Sequence, residues 1–110
     1  MKHEVSDRGG ALVVAFEGEV DLASSPEARK VLLDTVGQKR PVLVDLSKVN
    51  YIDSSGVAAL IESLQVARKG GGSLCLAAVS ATTLRVLQLA RLDRVFTIHE
   101  TIEDGLPQDN

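Results

Sequence analysis

With one cysteine in 110 residues, the chain has no partner for Cys75 in an internal disulfide and fits a reducing compartment. Tryptophan is missing, and Phe16, Tyr51 and Phe96 are the only aromatics. That weakens any idea of a stacking platform for bases or sugars. No block of like charge occurs and the formal net charge is −3, which is unlike the clustered Lys and Arg of a nucleic-acid binder. No run approaches the roughly 20 apolar residues of a membrane span. The opening Met1-Lys2-His3-Glu4 also lacks the apolar stretch of a signal peptide. These absences lead to the expectation of a cytoplasmic protein with no nucleic-acid partner and no membrane span.

What is present is a core of Val, Leu, Ile and Ala. Hydrophobic residues make up 45% and charged residues 25%, an ordinary balance for a globular chain. The length suits one domain over residues 1–110, able to bury about two thirds of its extended surface. Residues 3–8 and 11–16 flank Gly9-Gly10 and predict a β-hairpin whose second strand ends at Gly18-Glu19-Val20-Asp21. Ser25 as N-cap and Pro26 at the first helical position open a helix carrying Ala28, Val31, Leu32 and Val36, stopped by Gly37. Residues 42–46 read as a buried strand, and 47–53 as a link. Val57, Leu60, Ile61 and Leu64 mark the inner face of a second helix, with Glu62, Ser63, Gln65 and Arg68 on its polar side and Gly70-Gly71-Gly72 at its end. A strand at 74–79, a helix at about 82–91 and a last strand at 95–98 follow. From His99 an acidic tail carries a short helix and then frays. The predicted class is α/β: a mixed sheet of about five strands, hairpin first and then β-α-β alternation, covered by about four helices with right-handed crossovers.

The run Asp53-Ser54-Ser55-Gly56 joins a buried strand to a helix, and such strand-to-helix turns are where ligands and modifications collect in α/β sheets. Asp53 or Ser54 is placed to cap the helix, leaving Ser55 in or just before its first turn. The free N–H groups and positive dipole end there favour negative charge. A phosphoryl group on Ser55 would add about −1.5 to −2 charges without breaking the helix, while changing sharply what a partner meets. Asp-Ser-Ser-Gly is also simply good helix-start chemistry, and local physics alone favours that plainer reading and does not single out the switch.

Wider context does. The sequence resembles the STAS-domain anti-sigma factor antagonists of bacteria. Three stretches carry the likeness: Gly18-Glu19-Val20-Asp21, Val44-Asp45-Leu46-Ser47 with Val49, and Tyr51-Ile52-Asp53-Ser54-Ser55-Gly56. The resemblance implies a single STAS-like domain that is a phosphoprotein in transcription regulation by partner switching. Ser55 is then the phosphoacceptor, phosphorylated by an anti-sigma factor serine kinase and reset by a metal-dependent serine phosphatase. It also implies partner-binding or switch roles for Asp53, Ser54, Gly56, Asp21 and Glu19. Asp53 could cap the helix or orient the Ser55 hydroxyl, and Asp21 could serve the partner-facing rim or only the turn. The exposed Glu62, Gln65 and Arg68 would extend the contact surface. The alternative within this family is a constitutive scaffold, or a regulatory subunit of a transporter or sensory assembly, which needs no phosphoacceptor.

Other features have plainer readings. Gly70-Gly71-Gly72 follows Lys69, the reverse of a phosphate loop, and closes a helix instead of opening one. Cys75 lies in a buried-type strand as a small hydrophobe. His3 and His99 have no further ligand at metal spacing, so no metal or cofactor is expected. Asp45 is expected to end its strand in local hydrogen bonding. The Gly-x-Ser-x-Gly elbow is absent and no histidine has a route to Ser55, so the chain is expected not to be an enzyme.

Overall fold

Gly9 and Gly10 take φ of +63° and +92°, the two left-handed residues that a tight hairpin loop demands. They fold β1 (Lys2–Arg8) antiparallel onto β2 (Ala11–Val20). The computed structural model describes residues 1–107, so the expected frayed end, 108–110, lies outside the described residues. After β2 come α1 (Ser25–Val36), β3 (Pro41–Ile52), α2 (Ser54–Lys69), β4 (Ser73–Ala77), α3 (Ala81–Leu89), a 3-10 turn at Leu92–Arg94, β5 (Ile98–His99) and α4 (Ile102–Gly105). The predicted α/β class, mixed five-stranded sheet and four helices are all present.

The strands lie side by side in chain order, β1-β2-β3-β4-β5, and β2 through β5 are parallel. When parallel strands step always in one direction, crossovers of one hand put their helices on one face. Accordingly α1, α2 and α3 share a single core: Ala28, Leu32, Leu60, Leu64 and Leu87 pack with Leu12, Val14, Phe16, Val42, Val44, Leu46 and Leu76. The alternate residues Val13, Leu43 and Ala77 face the other way, against Cys75, Ile102 and Leu106 around α4.

Several boundaries differ from the sequence reading, each for a local reason. The expected link at 47–53 is strand as far as Ile52. Between Asp45 and Lys48, and again between Val49 and Tyr51, β3 advances one residue more than β2. Two bulges thus space the buried Leu46, Val49 and Ile52 three apart, which hides the strand from a period-two reading. Asp45 therefore does not end its strand, although its Oδ1 does accept a local bond from the Ser47 N–H at 2.9 Å. Ser24, not Ser25, flanks α1, and Pro26 stands second in the helix. The Ser25 N–H donates to the Asp21 carbonyl at 2.7 Å, so the turn begins earlier. Ser63 lies not on the polar side of α2 but fully buried, its hydroxyl donating to the Ala59 carbonyl at 2.7 Å. Strand β4 ends at Ala77, where Ala78 turns left-handed (φ +52°), and α3 closes at Leu89, before left-handed Arg91. The last strand shrinks to two residues because the Val95 and Phe96 amides both bond the Leu92 carbonyl.

Gly56 sits where α2 crosses the ends of β2 and β3. A Cβ there would lie 2.8 Å from Ile52 Cγ1, Val20 Cγ1 and the Val20 carbonyl oxygen. Gly56→Ala should cost about 1–3 kcal/mol in denaturant unfolding, the range for overpacking. Gly72→Ala, where the nearest atoms are an ordinary 3.5 Å away, should stay within about 0.5 kcal/mol.

Candidate functional site at the β3–α2 turn

Val20 and Ile52 are register partners at the ends of two parallel strands, and the Asp53 N–H donates to the Val20 carbonyl at 3.2 Å. The loops that leave those strands therefore lie side by side: Asp21–Ser24 into α1, and Asp53 into α2. Asp53 is the N-cap of α2, extended at φ −109° and ψ −174°. Its Oδ1 accepts from the Ser55 N–H at 2.9 Å, the Gly56 N–H at 3.2 Å and the Ser55 hydroxyl at 2.5 Å. Of the two capping candidates it is Asp53 that caps, and it also holds the Ser55 hydroxyl. The hydroxyl bond foremost, then the Gly56, Ser55 and Leu22 N–H groups, keep its carboxyl below the usual carboxylate range. Ser54 is exposed, Ser55 half-buried and Gly56 buried.

Asp21 repeats this chemistry next door. Its Oδ1 accepts from the Ser24 N–H at 3.0 Å and the Ala23 N–H at 3.1 Å. Its carboxyl is likewise lowered, chiefly by the Ser24 N–H, while the charge of Asp53 acts weakly the other way. The Ser24 hydroxyl donates to the Glu19 carbonyl at 2.8 Å, which ties in the end of β2. The Glu19 side chain itself is exposed. The run Gly18–Asp21 and the run Asp53–Gly56 are thus brought together at the carboxyl ends of two neighbouring strands.

A groove of about 260 Å³ runs between α1 and α2 from Ser55 and Ser25, over Pro26, Ala58 and Ala59, to Arg29 and Glu62. Arg29 and Glu62 close it with a two-pronged ion pair: Nε to Oε1 at 2.7 Å and Nη2 to Oε2 at 2.9 Å. Each holds its partner charged, lowering the carboxyl and raising the guanidinium. The expected contact face of α2 is therefore divided. Glu62 turns toward α1, Gln65 is exposed, and Arg68 donates to the Val95 carbonyl at 3.4 Å. The sequence reading passed over Arg29, because its pairing spans two helices and leaves no period within either. It also passed over Leu22, which is 77% exposed beside Asp21; an apolar residue inside an Asp-to-Ser turn was the available signal.

Other candidates sit elsewhere. A second concavity, of about 380 Å³, is lined by Lys2, His3, Glu4, Glu17, Asp45 and Lys48 with Ala15 and Phe16, and shares no residue with the turn. Cys75 is half-buried, and burial pushes its thiol up. His3 faces Glu27 at 3.7 Å, and His99 packs where α4 passes. Among the described residues no three His, Cys, Asp or Glu side chains group to hold a metal, and no helix is long and apolar enough to cross a membrane.

The fold and this edge define a small α/β domain that presents two helix-start loops side by side at the carboxyl ends of parallel strands. The family model for the STAS domain matches residues 2–105, and the chain belongs to that family. It is 27% identical over 103 residues to the anti-sigma-B factor antagonist of Bacillus subtilis, covering 94% of each chain. It is 30% identical over 105 residues to the anti-sigma-F factor antagonist RsfB of Mycobacterium tuberculosis, covering 93% of this chain and 84% of that one. The crystal structure of an anti-sigma factor antagonist from Mycobacterium paratuberculosis superposes with a TM-score of 0.86 at 27% identity, over 94% of this chain and 89% of that one.

Asp53 carries a testable pH signature. A carboxyl lowered by folding adds stability above its unfolded pKa, and that stability is lost as pH falls through the folded value. Thermal stability of the native chain should therefore drop below about pH 4, the ordinary range for Asp. Asp53→Asn, which caps as well as Asp, should unfold with a shallower acid slope. Asp53→Ala should be less stable than both at neutral pH in calorimetry.

Proposed function

We propose that this chain is an anti-sigma factor antagonist switched by phosphorylation of Ser55. In the unphosphorylated form it docks, in the cytoplasm, on an anti-sigma factor that is itself a serine kinase, and the sigma factor is released. Transfer of the γ-phosphoryl group of ATP to Ser55 Oγ, with loss of the hydroxyl proton and departure of ADP, ends docking. A metal-dependent serine phosphatase hydrolyses the phosphoserine and resets the chain. The observation that carries this reading is Ser55 in the first turn of α2 with its hydroxyl held by Asp53. The names of relatives matched over nearly the whole chain support it.

The chemistry is that of a binding module. Asp53 already holds the Ser55 and Gly56 N–H groups, but a phosphate at the helix N-terminus still meets a favourable dipole, so the fold tolerates it. The partner meets a new dianion on a rim where Leu22 and Tyr51 offer exposed apolar surface, 77% and 48%. Placing that charge against an apolar or acidic partner surface can cost several kcal/mol, and about 1.4 kcal/mol is tenfold in affinity. Asp53 orients the hydroxyl for transfer. Asp21, Glu19, Ser54 and Gly56 shape the surface that docks.

Incubation with ATP and a cognate anti-sigma kinase, followed by phosphopeptide mapping, should place the label on Ser55. Label elsewhere, or none, contradicts the switch. Ser55→Ala should bind the kinase and resist release, and Ser55→Asp should bind at least tenfold more weakly. Equal binding by the two variants would instead mark the chain as a constitutive scaffold.

A further inference from the structure

We propose that Arg29 is the intramolecular ligand of a phosphoryl group on Ser55, taken from Glu62 when the phosphate arrives. This rests on the reading of Ser55 as phosphoacceptor and adds a residue from the neighbouring helix to the switch.

Three observations support it. Ser55 and Arg29 line the same groove, and its middle is walled by Ala58, Ala59 and Pro26, which are too small to block the way. On α2 the groove residues Ser55, Ala58, Ala59 and Glu62 fall at i, i+3, i+4 and i+7, a single face. Helical side chains lean toward the N-terminus of their own helix. Both helices follow parallel strands, so the Cα–Cβ bond of Arg29 tilts toward the end of the groove where Ser55 stands, while its guanidinium now reaches Glu62 at the other end. Arg29 already presents Nε and Nη2 as a fork to a carboxylate, and a phosphate accepts the same fork.

The exchange runs downhill in charge. Asp53 sits against the Ser55 hydroxyl, so a dianion on Oγ is repelled from the cap and turns away from it, toward the groove. The Arg29–Glu62 pair is solvent-exposed, with side chains 55% and 37% accessible, so water and salt screen it and the guanidinium is open to a competing anion. A phosphoserine carries up to twice the charge of Glu62 and more acceptor oxygens. With Arg29 drawn to the phosphate, the Glu62 carboxylate loses its partner. Phosphorylation then alters the partner-facing surface at two places, the serine and the far end of the groove.

The test installs phosphoserine at position 55 by genetic encoding, so it needs no kinase. The Nε–H resonance of Arg29 should move between the Ser55 and phosphoserine-55 proteins. In the phosphoserine protein, Arg29→Gln should raise the pH at which the 31P signal completes its second ionisation. Lys30→Gln, which removes a neighbouring exposed cation from the same helix, should raise it distinctly less. An unmoved Arg29 resonance, or equal 31P shifts in the two variants, overturns the proposal. Failure of kinase labelling at Ser55 would remove the switch and leave this contact standing. An unmoved Arg29 would do the reverse.

Discussion

One carboxylate oxygen organises the edge of this domain. Asp53 Oδ1 takes two N–H groups that α2 would otherwise leave unpaired and holds the Ser55 hydroxyl as well. It does so just past the end of β3, whose neighbour β2 leads into the Asp21 turn of similar bonding. The cap fixes where α2 starts, and that start sets how closely Gly56 rides over Val20 and Ile52. The helix that lines the groove with Ser55, Ala58, Ala59 and Glu62 is aimed from this point. A change of charge on Ser55 is therefore a change at the hinge of the cap, made outside the core.

That separation between core and edge is what a partner-switching domain needs. The core residues of α1, α2 and α3 all pack on one sheet face, and Ser55 is not among them. The local helix dipole even favours the added charge. The loops and the exposed Leu22 and Tyr51 are free to be surface. The chain belongs to the STAS family, and relatives matched over most of their length are named anti-sigma factor antagonists.

Much of this was legible in the sequence wherever one residue dictates one conformation. Gly9-Gly10 implied the tight hairpin, the Val42–Leu43–Val44 run a doubly buried strand, and Asp53 beside two serines a capped helix start. What escaped were features that depend on two elements at once. The bulges in β3 broke the alternation that would have extended the strand through Val49 and Ile52. Ser63 reads as polar, yet its hydroxyl is satisfied by the Ala59 carbonyl one turn back and the residue is buried. Val95 and Phe96 read as strand, but their amides are spent on the turn at Leu92. At the site, the Asp53–Gly56 run and the Gly18–Asp21 run were both visible, and the fold brings them together. The Arg29–Glu62 pair, 33 residues apart, exists only once two parallel helices are packed. The need for Gly56 arises only from the strands beneath it.

The central claim is that charge on Ser55 changes the surface and leaves the fold alone. Comparing backbone amide spectra of the Ser55 and phosphoserine-55 proteins tests it most directly. The account predicts shifts confined to residues 19–29 and 53–62, with the amides of β1, β4 and α4 unmoved. Shifts spread through those elements would show that the phosphate acts by disturbing the core, and would contradict it.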